Sequence, residues 1–183
     1  MSETTKKNDF IEIEYLGKTN GEVFDTNIPV EAKKINPDAD VKPLTACIGQ
    51  GMVIKGFDQD LENRELNKKY TVVIPSKLAY GARDPKMVRL IPKKVFFEHN
   101  MNPVPGMSVA MDNSMAKIVS VSGGRVLVDF NHPLANKELT FEYTIKNKLI
   151  KIEDKIKALQ NAFFRQEFEF KIDNEKKKII FNK

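Results

Sequence analysis

Residues 48–58 read IGQGMVIKGFD, and the rest of the chain is best understood from this stretch outward. It predicts a strand end, a two-glycine turn and the start of a short helix. Gly49 and Gly51 supply backbone angles that a Cβ would forbid. Met52, Val53 and Ile54 then fall on the turn, where apolar side chains mark a surface that binds something. Ile54, Phe57 and Leu61 share one helical face. With Val53 and Ile54 outward and Phe57 inward, the stretch makes the floor of a small apolar pocket. Gly51 and Gly56 have P-loop spacing, but Phe57 and Asp58 stand where Lys and Ser or Thr would hold phosphate and magnesium. The dinucleotide pattern GxGxxG also fails. A plain buried turn is the alternative for the stretch taken alone.

The 183 residues suit one medium domain or two small ones. Hydrophobic content of 41% with 30% charged residues reads as soluble and globular. No apolar run approaches the ~20 residues of a membrane span, and the polar N-terminus MSETTKKNDF has no apolar core for a secretory signal. A cytoplasmic protein with no membrane association is expected. The single cysteine, Cys47, excludes an internal disulfide and a cysteine-based metal site, and reads as a small buried hydrophobe. The net charge of +5 comes from lysines mixed with acids along the chain, which describes a solvated surface better than a nucleic-acid interface.

Residues 10–16, FIEIEYL, alternate as a half-buried strand. Asn20-Gly21 is a hairpin turn, and Val23-Phe24-Asp25 begins the return strand. Residues 27–43, with three prolines and little periodicity, read as a loop or bulge. Residues 44–48 form a short strand, 55–63 a helix with Asp58 and Asp60 near its positive end, and 70–74 a strand stopped by Pro75. Residues 87–105 are apolar without clean alternation and broken by prolines. Strands follow at 107–111, 115–121 and 125–130, the last two joined at Ser122-Gly123-Gly124. Residues 131–136 are a loop. Leu139, Phe141, Tyr143 and Ile145 then share one face of a strand. Ile152, Ile156, Leu159 and Phe163 form a helical stripe. Phe168, Phe170 and Ile172 alternate as a strand, with a turn at 173–175 and a partner strand at 177–181. About 30 residues cannot hold an independent core, so this tail docks on the body, pairs with a second copy, or begins something larger.

With these elements placed, the chain resembles the FKBP-type peptidyl-prolyl cis/trans isomerases, in the SlyD-like branch that carries an insert in the flap. The blocks are YLGKTNGEVFDT (15–26), IGQGMVIKGFD (48–58), IPSKLAYGA (74–82), VPGMSV (104–109) and VLVDFNHPLANKELTFEYTI (126–145). They span most of residues 11–145 in the family's order and spacing. The lysine- and asparagine-rich style is similar to that of archaeal members. The resemblance implies an α+β fold: an FKBP-like antiparallel sheet around a short helix, a small mainly-β insert-in-flap domain, and a C-terminal helix plus β-hairpin extension. The isomerase domain would be residues 1–85 and 132–150, the insert 86–131 and the extension 151–183.

Position by position, the resemblance assigns Tyr15, Phe24 and Asp25 to one wall of the family's pocket. Leu44 stands where many relatives have an aromatic. Val53 and Ile54 match the pair before the helix, the Ile54 amide being the donor to a substrate carbonyl. Phe57 stands where well-known relatives have tryptophan. Tyr80 matches the tyrosine whose hydroxyl meets substrate, and Phe141 the back-wall aromatic, with Leu139 beside it among the substrate-binding positions. Both departures stay apolar and bear on inhibitor affinity and rate more than on activity. Tyr15, Asp25, Ile54, Tyr80 and Phe141 are the expected catalytic set. In the insert, Ile91, Val95, Phe96, Phe97, Met101, Met107 and Met111 form an adaptable groove for client chains or are the insert's own core.

The implied activity is isomerisation of Xaa-Pro bonds in unfolded or partly folded polypeptides, with chaperone-type binding by the insert. A macrolide is the implied inhibitor. The reaction needs no cofactor or metal: His99 and His132 lie by no serine or cysteine motif, and the histidine- and cysteine-rich metal tail common in SlyD proteins is missing. Asp25 reads as a structural partner of Tyr15 or a neighbour rather than a general acid. The alternatives are a non-catalytic FKBP-fold peptide-binding module, and a structural or ribosome-associated protein acting through its basic tail. Dimerisation through that tail is a further expectation.

Overall fold

The strand β1 (Phe10–Thr19) is the frame of the first of two units. The computed structural model describes residues 3–111, 114–173 and 178–181. The first unit comprises Met1–Ala79 and Glu138–Lys183, the second Tyr80–Lys137. Alternation in FIEIEYL places Ile11 and Ile13 inside, both fully buried, and leaves Glu12 and Glu14 on the other face. The hairpin to β2 (Glu22–Thr26) turns at Asn20 and Gly21, with φ of 51° and 81°. Two successive positive φ values make the turn whose twist matches the flanking strands. β3 (Leu44–Cys47) pairs with the first half of β1, Ile13 opposite Leu44, while β2 pairs with its second half. On the other side of β1 lies β9 (Leu139–Lys148), and beyond it β4 (Lys69–Ile74), all antiparallel.

The buried face of β9 carries Leu139, Phe141, Tyr143 and Ile145, all at most 6% exposed. Against this sheet packs the short helix α2 (Lys55–Asp60), through Phe57 and the following Leu61. A Cβ at Gly56 would stand 2.4 Å from Ile74 Cγ2, so glycine allows α2 to lie this close to β4. The helix ends three residues before the expected Asn63. Leu61 is its C-cap, and Asn63 adopts φ of 60°, which a continuing helix excludes.

Residues 27–43, expected as a loop, contain the helix α1 (Pro29–Ile35). Pro29 presets the φ of its first turn, Glu31 and Lys34 pair across three residues at 2.7 Å, and Ala32 is its buried side chain. One small apolar residue leaves no periodic signal, which is why the sequence pattern missed it.

In the second unit the strands β5 (Val88–Pro92), β6 (Ser108–Met111), β7 (Ser114–Ser122) and β8 (Arg125–Asp129) form an antiparallel sheet in the order β5-β8-β7-β6. The β7–β8 turn at Gly123 and Gly124 falls where expected. The helix α3 (Lys93–Glu98) follows β5 directly. The irregular apolar reading of 87–105 is thereby corrected: Pro92 closes an edge strand, where its missing N–H costs no ladder bond, and the helix starts on the next residue. Phe96, Val109, Ala116, Ile118, Val126 and Val128 are the core of this unit.

The extension begins with α4 (Ile152–Phe164) and belongs to the first unit. Of the expected stripe only Ile156 is buried; Ile152, Leu159 and Phe163 are 52%, 37% and 69% exposed. The buried set is Ile156, Ala158 and Gln160. Gln160 receives the Phe168 N–H at 2.8 Å and donates to its carbonyl at 3.2 Å, so a polar side chain secures the chain after the helix. β10 (Phe170–Asp173) then pairs with β11 (Lys178–Phe181). In the turn expected at 173–175, Asn174 and Glu175 lie outside the described residues, as does Lys177. Among the described residues no helix is long and apolar enough to cross a membrane.

Candidate active site

Phe141, in the middle of β9, is the hub of an aromatic cluster in the first unit. Phe57 stacks on it with ring centroids 4.7 Å apart and planes 14° from parallel. Phe24 meets it edge-on at 5.8 Å, and Tyr15 lies tilted against it at 5.9 Å. Four elements thus deliver one ring each: β1 and β2 through their hairpin, α2 and β9. Each such pair contributes about 0.5–1.5 kcal/mol beyond the area it buries.

Gly17 makes the arrangement sterically feasible. A Cβ there would stand 2.8 Å from Phe24 Cζ and 3.1 Å from Phe141 Cε1. Sequence reading gave Gly17 no role; its position opposite Phe141 in the β1–β9 register is what reveals it. Tyr143 lies on the buried face of β9 that the alternation predicts, and its role shows only in its contacts. It meets Phe57 edge-on at 5.0 Å and donates its hydroxyl to Asp60 Oδ2 at 2.5 Å, Asp60 also pairing with Arg64. Burial, and then the Asp60 carboxylate, push the Tyr143 hydroxyl far above the usual phenol range. It stays a neutral donor and fixes the floor beneath Phe57.

At the rim, Tyr15 donates its hydroxyl to Asp25 Oδ2 at 2.7 Å. Asp25 is thereby tied to β1 across the hairpin. Two more backbone-holding bonds brace the same hairpin: Tyr15 N–H donates to Asn27 Oδ1 at 2.8 Å and Thr26 Oγ1 donates to the Tyr15 carbonyl at 2.7 Å.

The turn ahead of α2 is tied down by Asp58. Its carboxylate accepts the Gly49 N–H at 2.8 Å and the Gly51 N–H at 3.0 Å, both glycines having positive φ. In the sequence Asp58 carries only the signal of a carboxylate near a helix N-terminus. Cys47 N–H reaches Met52 Sδ at 3.2 Å, and the buried Cys47 thiol is pushed up, chiefly by desolvation. Val53 and Ile54 are half-buried on this turn. The Ile54 carbonyl accepts from Phe57 and Asp58 N–H. Its own N–H has no acceptor among the described residues. Leu44 is half-buried on β3 opposite Ile13, and Leu139 is fully buried opposite Ile74.

Tyr80 is 40% exposed and is the first residue of the second unit. Its ring stacks on His132 at 3.8 Å with planes 6° apart. Desolvation pushes the His132 imidazole below its ordinary value. Phe96 is only 2% exposed in the core of this unit, with Ile91, Met101 and Met111 packed on it as partly buried neighbours. Phe97 and Met107 are 52% and 38% exposed. Val95, Phe96, His99, Met101, Ala110 and Met111 line a cavity of about 400 Å³.

A family model described as FKBP-type peptidyl-prolyl cis-trans isomerase matches residues 1–102, and one described as the FKBP26 IF domain matches residues 89–134. The chain belongs to the FKBP-type peptidyl-prolyl cis-trans isomerases. It is 33% identical over 150 residues to the short-type peptidyl-prolyl cis-trans isomerase of Methanocaldococcus jannaschii, covering 80% of this chain and 96% of that protein. It is 30% identical over 154 residues to the FKBP-type isomerase SlyD of Treponema pallidum, covering 81% of each. A third relative is the probable FKBP-type 16 kDa isomerase of Pseudomonas fluorescens, 32% identical over 111 residues, 58% of this chain and 73% of that protein. As a member of this family the chain is a peptidyl-prolyl isomerase whose substrates are proline-containing polypeptides.

Proposed function

We propose that the Phe141 cluster is where the Xaa-Pro bond turns, and that it does so with no covalent intermediate. The imide C–N bond is partly double, with a rotational barrier near ~20 kcal/mol. Its twisted state loses resonance and charge separation, so a dry apolar wall accommodates it better than the planar amide. Phe24, Val53, Ile54, Phe57 and Phe141 supply that wall. The Ile54 N–H holds a substrate carbonyl, and Tyr15 keeps its tilt against Phe141 through Asp25. Tyr80 is taken, from the family resemblance alone, as a phenol whose hydroxyl meets the substrate. Lowering the barrier by about 4 kcal/mol gives roughly a thousandfold acceleration. The convergence of four rings on Phe141, beside a backbone donor with no acceptor of its own, is the observation that carries this reading.

Residues 86–131 act as a client-binding lobe that passes unfolded chains to the isomerase and so speeds protein folding. The support is the cavity lined by Val95, Met101 and Met111, whose unbranched thioethers repack around varied apolar side chains, together with the exposed Phe97. Phe96 serves this lobe as core. Residues 1–85 with 132–150 act as the isomerase domain, and a macrolide occupies the same aromatic pocket as proline.

The test compares a short Xaa-Pro peptide with a protein whose refolding is limited by proline isomerisation. Deleting residues 86–131 should leave peptide exchange measurable and reduce catalysed refolding severely. Equal loss of both contradicts a separate client lobe.

A further inference from the structure

Tyr80 sits on a turn with Gly81 at φ of 77°, and its ring is 40% exposed. His132 lies on it face to face, 3.8 Å between centroids and 6° between planes. His132 is itself fixed: Leu134 N–H donates to its Nδ1 at 3.1 Å and Ala135 N–H to its carbonyl at 2.8 Å. The two loop segments bearing the rings are cross-linked close to the stack. Asn136 N–H donates to the Gly81 carbonyl at 2.7 Å. Asp84 N–H donates to Asn131 Oδ1 at 2.8 Å, Asn131 Nδ2 returns a bond to the Asp84 carbonyl at 3.0 Å, and Arg83 pairs with Asp129 at 2.6 Å.

We propose that His132 is a positioning residue for the isomerase: its imidazole plane sets the direction of the Tyr80 hydroxyl by stacking. Parallel planes turn the imidazole N–H edge away from the phenol face, so no proton passes between them. The accepted Leu134 N–H requires Nδ1 to be unprotonated, which selects the tautomer carrying its hydrogen on Nε2. The proposal rests on the reading of Tyr80 as a phenol that meets substrate.

Two substitutions in the full chain separate the ring from the turn it caps. His132→Asn keeps an oxygen where Nδ1 accepts the Leu134 N–H and removes the ring. His132→Phe keeps the ring and removes the acceptor. With kcat and KM measured on a short Xaa-Pro peptide and Tm measured alongside, His132→Asn should lower kcat about three- to tenfold with little change in KM, the scale of one stacked pair. His132→Phe should retain most of the activity despite any fall in Tm. In a Tyr80→Ala background His132→Asn should have no further effect. Wild-type kcat in His132→Asn, equal losses in both variants, or additive losses with Tyr80→Ala overturn the proposal. If Tyr80→Ala and Tyr80→Phe both leave kcat unchanged, the reading of Tyr80 fails first and the role of His132 with it.

Discussion

Phe57 and Phe141 stack at 4.7 Å between α2 and β9, and this single contact makes the wall proposed for the isomerase site also part of the core. Phe57 is 2% exposed and Phe141 6%. Truncation of either to alanine therefore tests stability as much as catalysis, at about 3–5 kcal/mol for a buried phenylalanine.

Phe141→Leu is the better probe. It keeps an apolar wall and removes the partner of three rings. The expected result is a three- to tenfold or greater loss of kcat/KM toward a proline peptide, the scale of one or more ring contacts, with a cooperative thermal transition still present. Unchanged kcat/KM in a folded Phe141→Leu protein would remove Phe141 from the site.

The Tyr15–Asp25 bond is at the rim, and Asp25 is exposed. A double-mutant cycle of Tyr15→Phe and Asp25→Ala should give a stability coupling of about 0.5–1.5 kcal/mol. Each single variant should slow peptide exchange only a few-fold. A hundredfold loss in Asp25→Ala with Tyr15→Phe near wild type would instead make Asp25 a direct participant.

Much of this site was legible because its residues are clustered in short blocks: the two-glycine turn, Phe57 four residues before Leu61, and the strict alternation from Leu139 to Ile145. Periodicity fixed which faces turn inward. What stayed hidden depends on contacts distant in sequence. Gly17 is ordinary until β9 brings Phe141 across from it. Asp58 looks like a dipole carboxylate until the turn folds back and offers it two N–H groups. The α4 stripe is periodic yet mostly exposed, and the face that is buried carries Ile156, Ala158 and the polar Gln160 instead.

The acid limb of stability should centre on Glu142. Its Oε1 pairs with Lys18 and its Oε2 with Lys69 at 2.7 Å, and these bonds lower its pKa from 4.5 to about 2. A carboxylate held lower in the folded protein adds stability that is complete above about 4.5 and is lost as pH falls toward about 2. Urea midpoints measured from pH 6 down to 2 should fall less steeply in Glu142→Gln than in wild type. Parallel curves would mean the two lysines contribute nothing there.

Phe97 and Phe96 are adjacent and opposite in exposure, 52% against 2%. Phe97→Ser should leave Tm nearly unchanged and weaken catalysed refolding of a protein while sparing the peptide reaction. Phe96→Ala should lower the stability of the protein by about 3–5 kcal/mol. A Phe97→Ser protein that refolds clients as fast as wild type would place client binding elsewhere.

The most direct test of the central claim is NMR exchange spectroscopy on a short Xaa-Pro peptide with a catalytic amount of this protein. The account predicts cis/trans exchange accelerated by roughly a thousandfold or more at saturation, with rates that fall in Phe141→Leu while Tyr15→Phe changes them only a few-fold. Peptide resonances that shift on binding while the exchange rate stays at its uncatalysed value would contradict it.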